Sequence, residues 1–97
     1  MKVVLAREAA EQLEAQVAYL RDVHALQAAE RFKSRVLSFL SNHLAHFPRT
    51  GRKLVDRELW EIWIPGTRLI LWYRIDDDRI EIATVWHSAQ DRSGGKT

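Results

Sequence analysis

Cysteine is absent from this 97-residue chain, and proline and glycine are scarce, with two and four copies. Without cysteine the chain cannot form disulfides, a composition that suits a reducing cytosol. No apolar run approaches the roughly 18 residues of a membrane span, and the N-terminus does not resemble a signal peptide. We therefore expect a cytoplasmic protein with no membrane partner.

Several catalytic signatures are also missing. The sequence has no phosphate-cradling glycine loop, no nucleophile elbow and no paired carboxylates that would mark an acid/base site. The chain has 15 lysines and arginines against 13 aspartates and glutamates, a formal net charge of +2. This small positive charge permits an acidic partner but does not establish nucleic-acid binding. No cofactor is expected.

The composition, 46% hydrophobic and 29% charged, is typical of a globular domain. Residues 1–91 are expected to form one domain. Residues 92–97 carry Gly94 and Gly95 but no large apolar side chain, and we expect them to be a mobile tail.

Apolar side chains first form a short run at residues 3–5, which predicts a strand, and then recur at three- and four-residue steps. This spacing predicts a helix over residues 6–20 and a second over residues 25–47, the latter ended by Pro48. Because only a few residues connect the two helices, they should pack antiparallel.

The rest of the chain alternates between turns and β-branched or aromatic runs. Residues 48–53 and Pro65-Gly66 predict turns, and residues 58–64, 67–75 and 79–87 predict strands. The expected fold is therefore α+β: an N-terminal strand, an antiparallel helical hairpin and a three-stranded antiparallel meander, with the helices on one face of the sheet.

The register of the last hairpin can be predicted by placing Ile75 opposite Ile80, because side chains alternate along a strand. One face would then be apolar, with Leu69, Leu71, Tyr73, Ile75, Ile80, Ile82, Thr84 and Trp86. The other face would pair Arg74 with Glu81, Trp72 with Ala83, Ile70 with Val85 and Arg68 with His87.

The predicted pair of Arg68 and His87 combines a phosphate-binding cation with an imidazole that can donate or accept a proton, as phosphodiester cleavage requires. Alternatively, both side chains end their strands in water and bind acidic groups of a partner. The basic residues Arg49, Arg52 and Lys53, with Arg57 as a fourth candidate, could contact phosphates, or could belong to a solvated loop after a helix.

Two further groups of side chains have competing interpretations. His43 and His46 stand three apart on the second helix, but without a third ligand at helical spacing they predict no metal site. Trp60 and Trp86 are assigned to the core row of the sheet. Trp63 and Trp72 are assigned to its other face, where they could receive a partner helix or stack on bases.

Taken in order along the chain, these features resemble the RelE/ParE superfamily of toxins from type II toxin–antitoxin modules. The resemblance spans nearly the whole chain and rests on short segments that are individually unspecific. They are Ala9-Ala10 with Leu13; Ala29, Phe32, Val36 and Leu40; Phe47-Pro48-Arg49-Thr50-Gly51-Arg52; Arg68 with Leu71-Trp72-Tyr73-Arg74-Ile75; Ile80-Glu81-Ile82; and Val85-Trp86-His87-Ser88-Ala89-Gln90.

The resemblance implies a toxin that a cognate antitoxin wraps and neutralises in a hetero-oligomer. It also leaves two activities open. A RelE-like toxin would cut mRNA on the ribosome without a metal, and here Arg68, His87, Arg52 and Lys53 would do so. A ParE-like toxin would inhibit DNA gyrase and have no active site of its own.

The sequence departs from the ribonuclease pattern, since no Tyr follows the last strand, Gln90 stands where an Arg is frequent, and the basic cluster has one Lys. The ParE-like function is therefore the leading hypothesis. A binding module that pairs with an antitoxin and is harmless is a third. For antitoxin binding the candidate residues are Trp63, Arg68, Trp72, Arg74 and His87.

Overall fold

A computed structural model describes residues 1–88 of the chain, in which two helices pack against a five-stranded mixed sheet. The helices are α1 (Arg7–Val23) and α2 (Leu26–Phe39), and α2 runs on into a π-helical turn (Leu40–Leu44). The strands are β1 (Lys2–Leu5), β2 (Arg52–Lys53), β3 (Trp60–Trp63), β4 (Leu69–Ile75) and β5 (Arg79–His87).

The sheet has the strand order β1-β5-β4-β3-β2. Strand β1 lies parallel to β5, and every other pair is antiparallel. The α+β class, the N-terminal strand and the meander of β3, β4 and β5 are thus confirmed. One strand was missed: Arg52 and Lys53, predicted to belong to a turn, pair with Glu61 and Trp60 at the edge of the sheet.

The two helices form because small and branched apolar side chains recur on one side of each. Ala9, Leu13 and Val17 are buried on α1, and Ala29 and Val36 on α2. Only His24 and Ala25 separate the helices, so the chain reverses direction and the hairpin is antiparallel as predicted.

The end of the second helix differs from the prediction. We expected one regular helix to Phe47, but the α-helical geometry stops at Phe39 and five residues adopt the wider π-helical turn. Leu40 and Leu44 within it are both buried, at 5% and 0% exposure, so the wider turn keeps these two leucines in the core.

The core lies between the helices and one face of the sheet, which we call the helix-covered face. From β4 and β5 it takes Leu69, Leu71, Tyr73, Ile80, Ile82 and Val85, all at most 4% exposed. Val3, Leu5, Trp60 and Ile62 pack against its margin. The prediction that both helices cover one face is confirmed.

The predicted register of the last hairpin is right near its turn and wrong beyond Ile82. Ile75 faces Ile80 and Arg74 faces Glu81, but Ala83 has no partner on β4. After this bulge Trp72 pairs with Thr84, Ile70 with Trp86 and Leu69 with His87. A bulge adds one residue to one strand, so every later side chain of β5 lies on the face opposite to the predicted one.

Helix α1 contacts β5 just beyond the bulge. The backbone N–H of Val85 donates to Oε1 of Gln12 at 2.7 Å. The shift also buries Val85 to 4% exposure and places Trp86 beside Trp72, at 5.4 Å between ring centroids. Because of the bulge, Val85 lies in the core at the place that the predicted register gave to Thr84.

Some predictions concern residues 89–97, which lie outside the described part of the chain. These are the domain boundary at residue 91, the C-terminal tail and the position of Gln90. Within residues 1–88, no helix is both long enough and apolar enough to span a bilayer.

Candidate functional site

The second face of the sheet has no helix packed on it within residues 1–88, and we call it the helix-free face. Strand alternation and the observed register place on it every second residue of β2 to β5, and Arg68, just before β4, continues the row of that strand opposite Ser88. Its members are Arg52, Glu61, Trp63, Arg68, Ile70, Trp72, Arg74, Glu81, Thr84 and Trp86.

Three tryptophans give this face its apolar character. Trp72 and Trp86 meet edge to face at an interplanar angle of 65°, an arrangement that aromatic pairs favour. Trp63 is 54% exposed, whereas Ile70 beside it is fully buried. The indole N–H of Trp86 is buried and has no hydrogen-bond partner among the described residues. An exposed aromatic next to buried apolar groups is a common anchor in protein interfaces.

A carboxylate lies in the middle of this aromatic surface. Glu61 is only 7% exposed, and its two oxygens have different partners. Oε1 accepts from Arg52 Nη2 at 2.8 Å, and Oε2 accepts from the indole N–H of Trp72 at 2.8 Å. The guanidinium of Arg57 lies over the Trp72 ring, 4.9 Å from its centroid. Buried charges need such pairing, because an unpaired ion would be costly to desolvate.

The turn before β2 fixes the position of Arg52. The Tyr73 hydroxyl donates to the Pro48 carbonyl at 2.8 Å and accepts from the Gly51 N–H at 3.2 Å. A Cβ on Gly51 would lie 2.6 Å from both the Glu61 carbonyl oxygen and the Tyr73 hydroxyl, so only glycine fits. Burial raises the pKa of Tyr73, and the Gly51 N–H opposes this rise in part. The Pro-x-x-Gly-Arg segment thus has a structural role that sequence alone did not reveal.

Arginines surround the aromatic cluster. Arg74 Nη1 lies 3.1 Å from Glu81 Oε1, and both side chains are partly exposed. The Arg68 carbonyl accepts from the Ser88 N–H at 2.7 Å, which aligns Arg68 with Ser88 and not with His87. The predicted facing pair of Arg68 and His87 is therefore wrong.

The four residues proposed for RNA cleavage divide between the two faces. Arg52 and Arg68 belong to the helix-free face. Lys53 and His87 belong to the other, since Lys53 pairs with Trp60 and His87 with Leu69. The Lys53 ammonium lies 6.0 Å from the centre of the Trp60 ring. Of the five residues predicted to bind an antitoxin, Trp63, Arg68, Trp72 and Arg74 share the helix-free face and His87 does not.

This fold and this arrangement of the sheet can be compared with known proteins. The family model of the ParE toxin of type II toxin–antitoxin systems (parDE) matches residues 3–92. The chain belongs to the ParE toxin family. The resemblance identified from the sequence is thereby confirmed.

Two solved structures share the fold of this ParE-family chain. One is the chromosomal ParDE toxin–antitoxin system from P. aeruginosa, at a TM-score of 0.76 and 15% identity, with 90% of this chain and 95% of that chain covered. The other is the RelBE2 toxin–antitoxin complex from Mycobacterium tuberculosis, at a TM-score of 0.65 and 24% identity, with 89% and 95% covered. A comparison with curated proteins gives no significant match.

The two histidines that follow α2 in this ParE-family toxin, His43 and His46, pack against phenylalanine rings. His43 stacks on Phe39 at 5.0 Å between ring centroids and lies 5.6 Å from Phe47, and His46 meets Phe47 edge-on at 6.5 Å. Among residues 1–88, no three side chains of the metal-ligating types come together. His43 and Phe47 instead line an open, mostly apolar pocket of about 530 Å³ with Pro48, Arg49 and Thr50.

Sequence reasoning missed Glu61 as a member of the site, and it considered Arg57 only as a fourth member of the basic cluster. A signal for Glu61 was present, since it alternates with Trp60 and Ile62 on a strand next to Trp72. Nothing local in the sequence predicted that Arg57 would cover the Trp72 ring, because this contact joins a loop to a strand.

Proposed function

We propose that this ParE-family toxin inhibits DNA gyrase by binding it, without catalysing a reaction, and that a cognate antitoxin neutralises it in a hetero-oligomeric complex. The observation that carries the proposal is the division of Arg52 and Arg68 from Lys53 and His87 across the sheet. A general acid or base must lie within hydrogen-bond reach of the proton that it transfers. Groups on opposite faces of one sheet do not meet this condition around one phosphate.

The charges of the helix-free face support the same proposal. The Arg52 guanidinium contacts Glu61, and the Arg74 guanidinium contacts Glu81. Arginines that stabilise a phosphorane-like transition state must direct their N–H groups at the reacting phosphate. These two direct N–H groups at carboxylates of their own sheet.

The test is a supercoiling assay with purified gyrase, plasmid and toxin. We expect loss of supercoiling and accumulation of a cleavage complex as toxin is added, both reversed by equimolar antitoxin. Full supercoiling with no cleavage complex at saturating toxin contradicts gyrase as the target.

A ribosome-dependent mRNA endonuclease is the second candidate. The observation in its favour is that Arg52 and Arg68 share a face with three tryptophans, since cations with stacking surfaces suit single-stranded RNA. Primer extension on a translated mRNA after toxin induction distinguishes the two. New 5′ ends within codons would support cleavage, and an intact transcript would exclude it. Unimpaired growth on expression without antitoxin would support the third alternative, a harmless binding module.

The antitoxin is proposed to dock on the helix-free face, with Trp63 and Trp72 as apolar anchors and Arg68 and Arg74 as partners for its acidic residues. His87 remains a predicted contact, approached from the other face. Replacing Arg68 with Glu should weaken the complex about tenfold or more in an affinity titration, because a like charge would meet the acidic partner.

A matched control for this titration is Arg31→Glu, since Arg31 is an exposed arginine of α2, away from the sheet. It makes the same change in net charge and should alter affinity less than about threefold. If Arg68→Glu binds as tightly as the wild type, the docking surface lies elsewhere.

A further inference from the structure

Glu61 is a buried carboxylate on a face that also carries three tryptophans and several arginines. Around it lie Trp72 and Trp86, exposed Trp63, and the guanidinium groups of Arg52 and Arg57. Aromatic rings that can stack on bases, interleaved with arginines, are the chemistry of sequence-tolerant binding to single strands. A carboxylate among them opposes that chemistry.

Glu61 acts on both elements that a single strand would use. It accepts from Arg52 Nη2 at 2.8 Å, and so competes with a phosphate for the N–H groups of this nitrogen. It also accepts the indole N–H of Trp72 at 2.8 Å, which fixes a negative charge at the edge of the ring that the Arg57 guanidinium covers. A phosphate brought to Arg52 would therefore lie close to a poorly hydrated like charge.

Glu81, the second acidic residue of this face, is more exposed to solvent than Glu61. Glu81 pairs with Arg74 at 3.1 Å, but its side chain is 32% exposed and no tryptophan donates to it within the described residues. Water screens this charge, whereas Glu61 at 7% exposure is screened much less.

We propose that Glu61 is a specificity-determining residue that keeps nucleic acid off the helix-free face and thereby reserves this face for protein partners. The inference does not depend on gyrase being the target, because it concerns RNA binding by the isolated toxin. It predicts that loss of one buried charge converts the face into an RNA-binding surface.

The test compares wild-type toxin with Glu61→Gln and Glu81→Gln by fluorescence anisotropy, using a labelled single-stranded RNA of roughly 12 nucleotides, a length that suits one binding face. Both variants remove one negative charge from the same face, so the two variants have the same net charge. Glu61→Gln should bind at least about tenfold more tightly than wild type, and its log–log salt slope should steepen by about 0.7 for the phosphate newly contacted by Arg52. Glu81→Gln should change affinity less than about threefold.

Two further variants test the route through Arg52. Adding Arg52→Ala to Glu61→Gln should abolish the gain in affinity, and Glu61→Asp, which keeps the charge, should bind RNA as weakly as wild type. Thermal unfolding monitored by circular dichroism establishes that each variant is folded. If Glu61→Gln does not fold, Glu61→Asn is a second neutral replacement.

Three results would overturn the proposal. The first is a neutral variant at position 61 that is folded and binds RNA no better than wild type. The second is an equal gain from Glu81→Gln, which would indicate net charge alone. The third is a wild-type toxin that already binds the RNA with a Kd of about 1 μM or lower at physiological salt, the tight end of non-specific binding, and this result counts even if no neutral variant folds.

Discussion

The two faces of the central sheet differ in how they use the same strand. On β4, Leu69, Leu71 and Tyr73 point into the helix-covered face, and Ile70, Trp72 and Arg74 point into the helix-free face. The first set packs against helices, and its one polar atom, the Tyr73 hydroxyl, bonds to the turn at Pro48 and Gly51. The second set mixes apolar groups with the charged Arg74, which pairs with Glu81, and its Trp72 donates to the Glu61 carboxylate.

This difference teaches that burial alone does not distinguish a structural face from a binding face. Ile70 and Leu71 are neighbours and are both almost fully buried, yet only Leu71 belongs to the core that the helices complete. What distinguishes the helix-free face is an exposed tryptophan, Trp63, together with an ion pair in which the carboxylate of Glu61 is buried and the Arg52 side chain is exposed. We therefore expect substitutions on the covered face to change stability and substitutions on the other to change binding.

The largest effect on stability is expected for Leu71→Ala. Leu71 is 1% exposed in the middle of the core, and removing such a side chain leaves a cavity that costs about 2–5 kcal/mol in unfolding free energy. Urea denaturation followed by circular dichroism measures it. The control is Trp63→Ala on the helix-free face, which should cost less than about 1 kcal/mol because Trp63 is half exposed. Equal losses would contradict the division between the faces.

The next effect concerns Tyr73, the polar member of the covered face. Tyr73→Phe removes the hydroxyl that joins the Pro48 carbonyl to the Gly51 N–H, and we expect a loss of about 1–3 kcal/mol in urea denaturation. An unchanged midpoint would show that water replaces both contacts.

The same hydroxyl should make stability depend on alkaline pH. Burial raises the pKa of Tyr73 above its ordinary value of 10.0. Below pH 10.0 the hydroxyl is neutral in both states and its contribution is complete. As pH rises further, the unfolded chain ionises first, so stability falls through the folded pKa. Tyr73→Phe should remove this part of the fall, whereas Tyr19→Phe, at a 60% exposed position, should retain it.

A smaller effect is expected at the bulge of β5. Gln12→Ala deprives the Val85 N–H of its acceptor and should cost about 1 kcal/mol, with faster hydrogen exchange at the Val85 amide. Gln16→Ala, one turn further along α1, is the control and should leave this amide protected. If exchange at Val85 is unchanged, Gln12 is not what supports the bulge.

The bulge also shows how far sequence reasoning reached. Hydrophobic alternation predicted the strands, the helices and the side of the sheet that they cover, because these follow from local periodicity. It could not predict the bulge at Ala83, since no local pattern marks it, nor the contact of Val85 with Gln12, 73 positions away along the chain. For this reason the sequence assigned the wrong face of the sheet to Thr84, Trp86 and His87. The predicted pairing of His87 with Arg68 was wrong for the same reason.

The candidate site was predicted in part for the same physical reason. Trp63, Trp72 and Arg74 were placed on one face because they lie on regular strands before the bulge. The contacts that join Glu61 to Arg52 and Arg57 to Trp72 connect different elements, and no local pattern specifies them. The sequence therefore predicted several side chains of the site but not the contacts that they make with one another.

The smallest effect on stability is expected for Arg74→Ala, and it tests the helix-free face most directly. The pair with Glu81 is 3.1 Å long, but side-chain exposures of 48% and 32% leave it hydrated, so its removal should cost less than about 1 kcal/mol in urea denaturation. Glu81→Ala, which removes the other partner, should give a similarly small loss. A loss for either variant as large as that of Leu71→Ala would mean that these charges hold the sheet together, and that Arg74 serves the fold and not a partner.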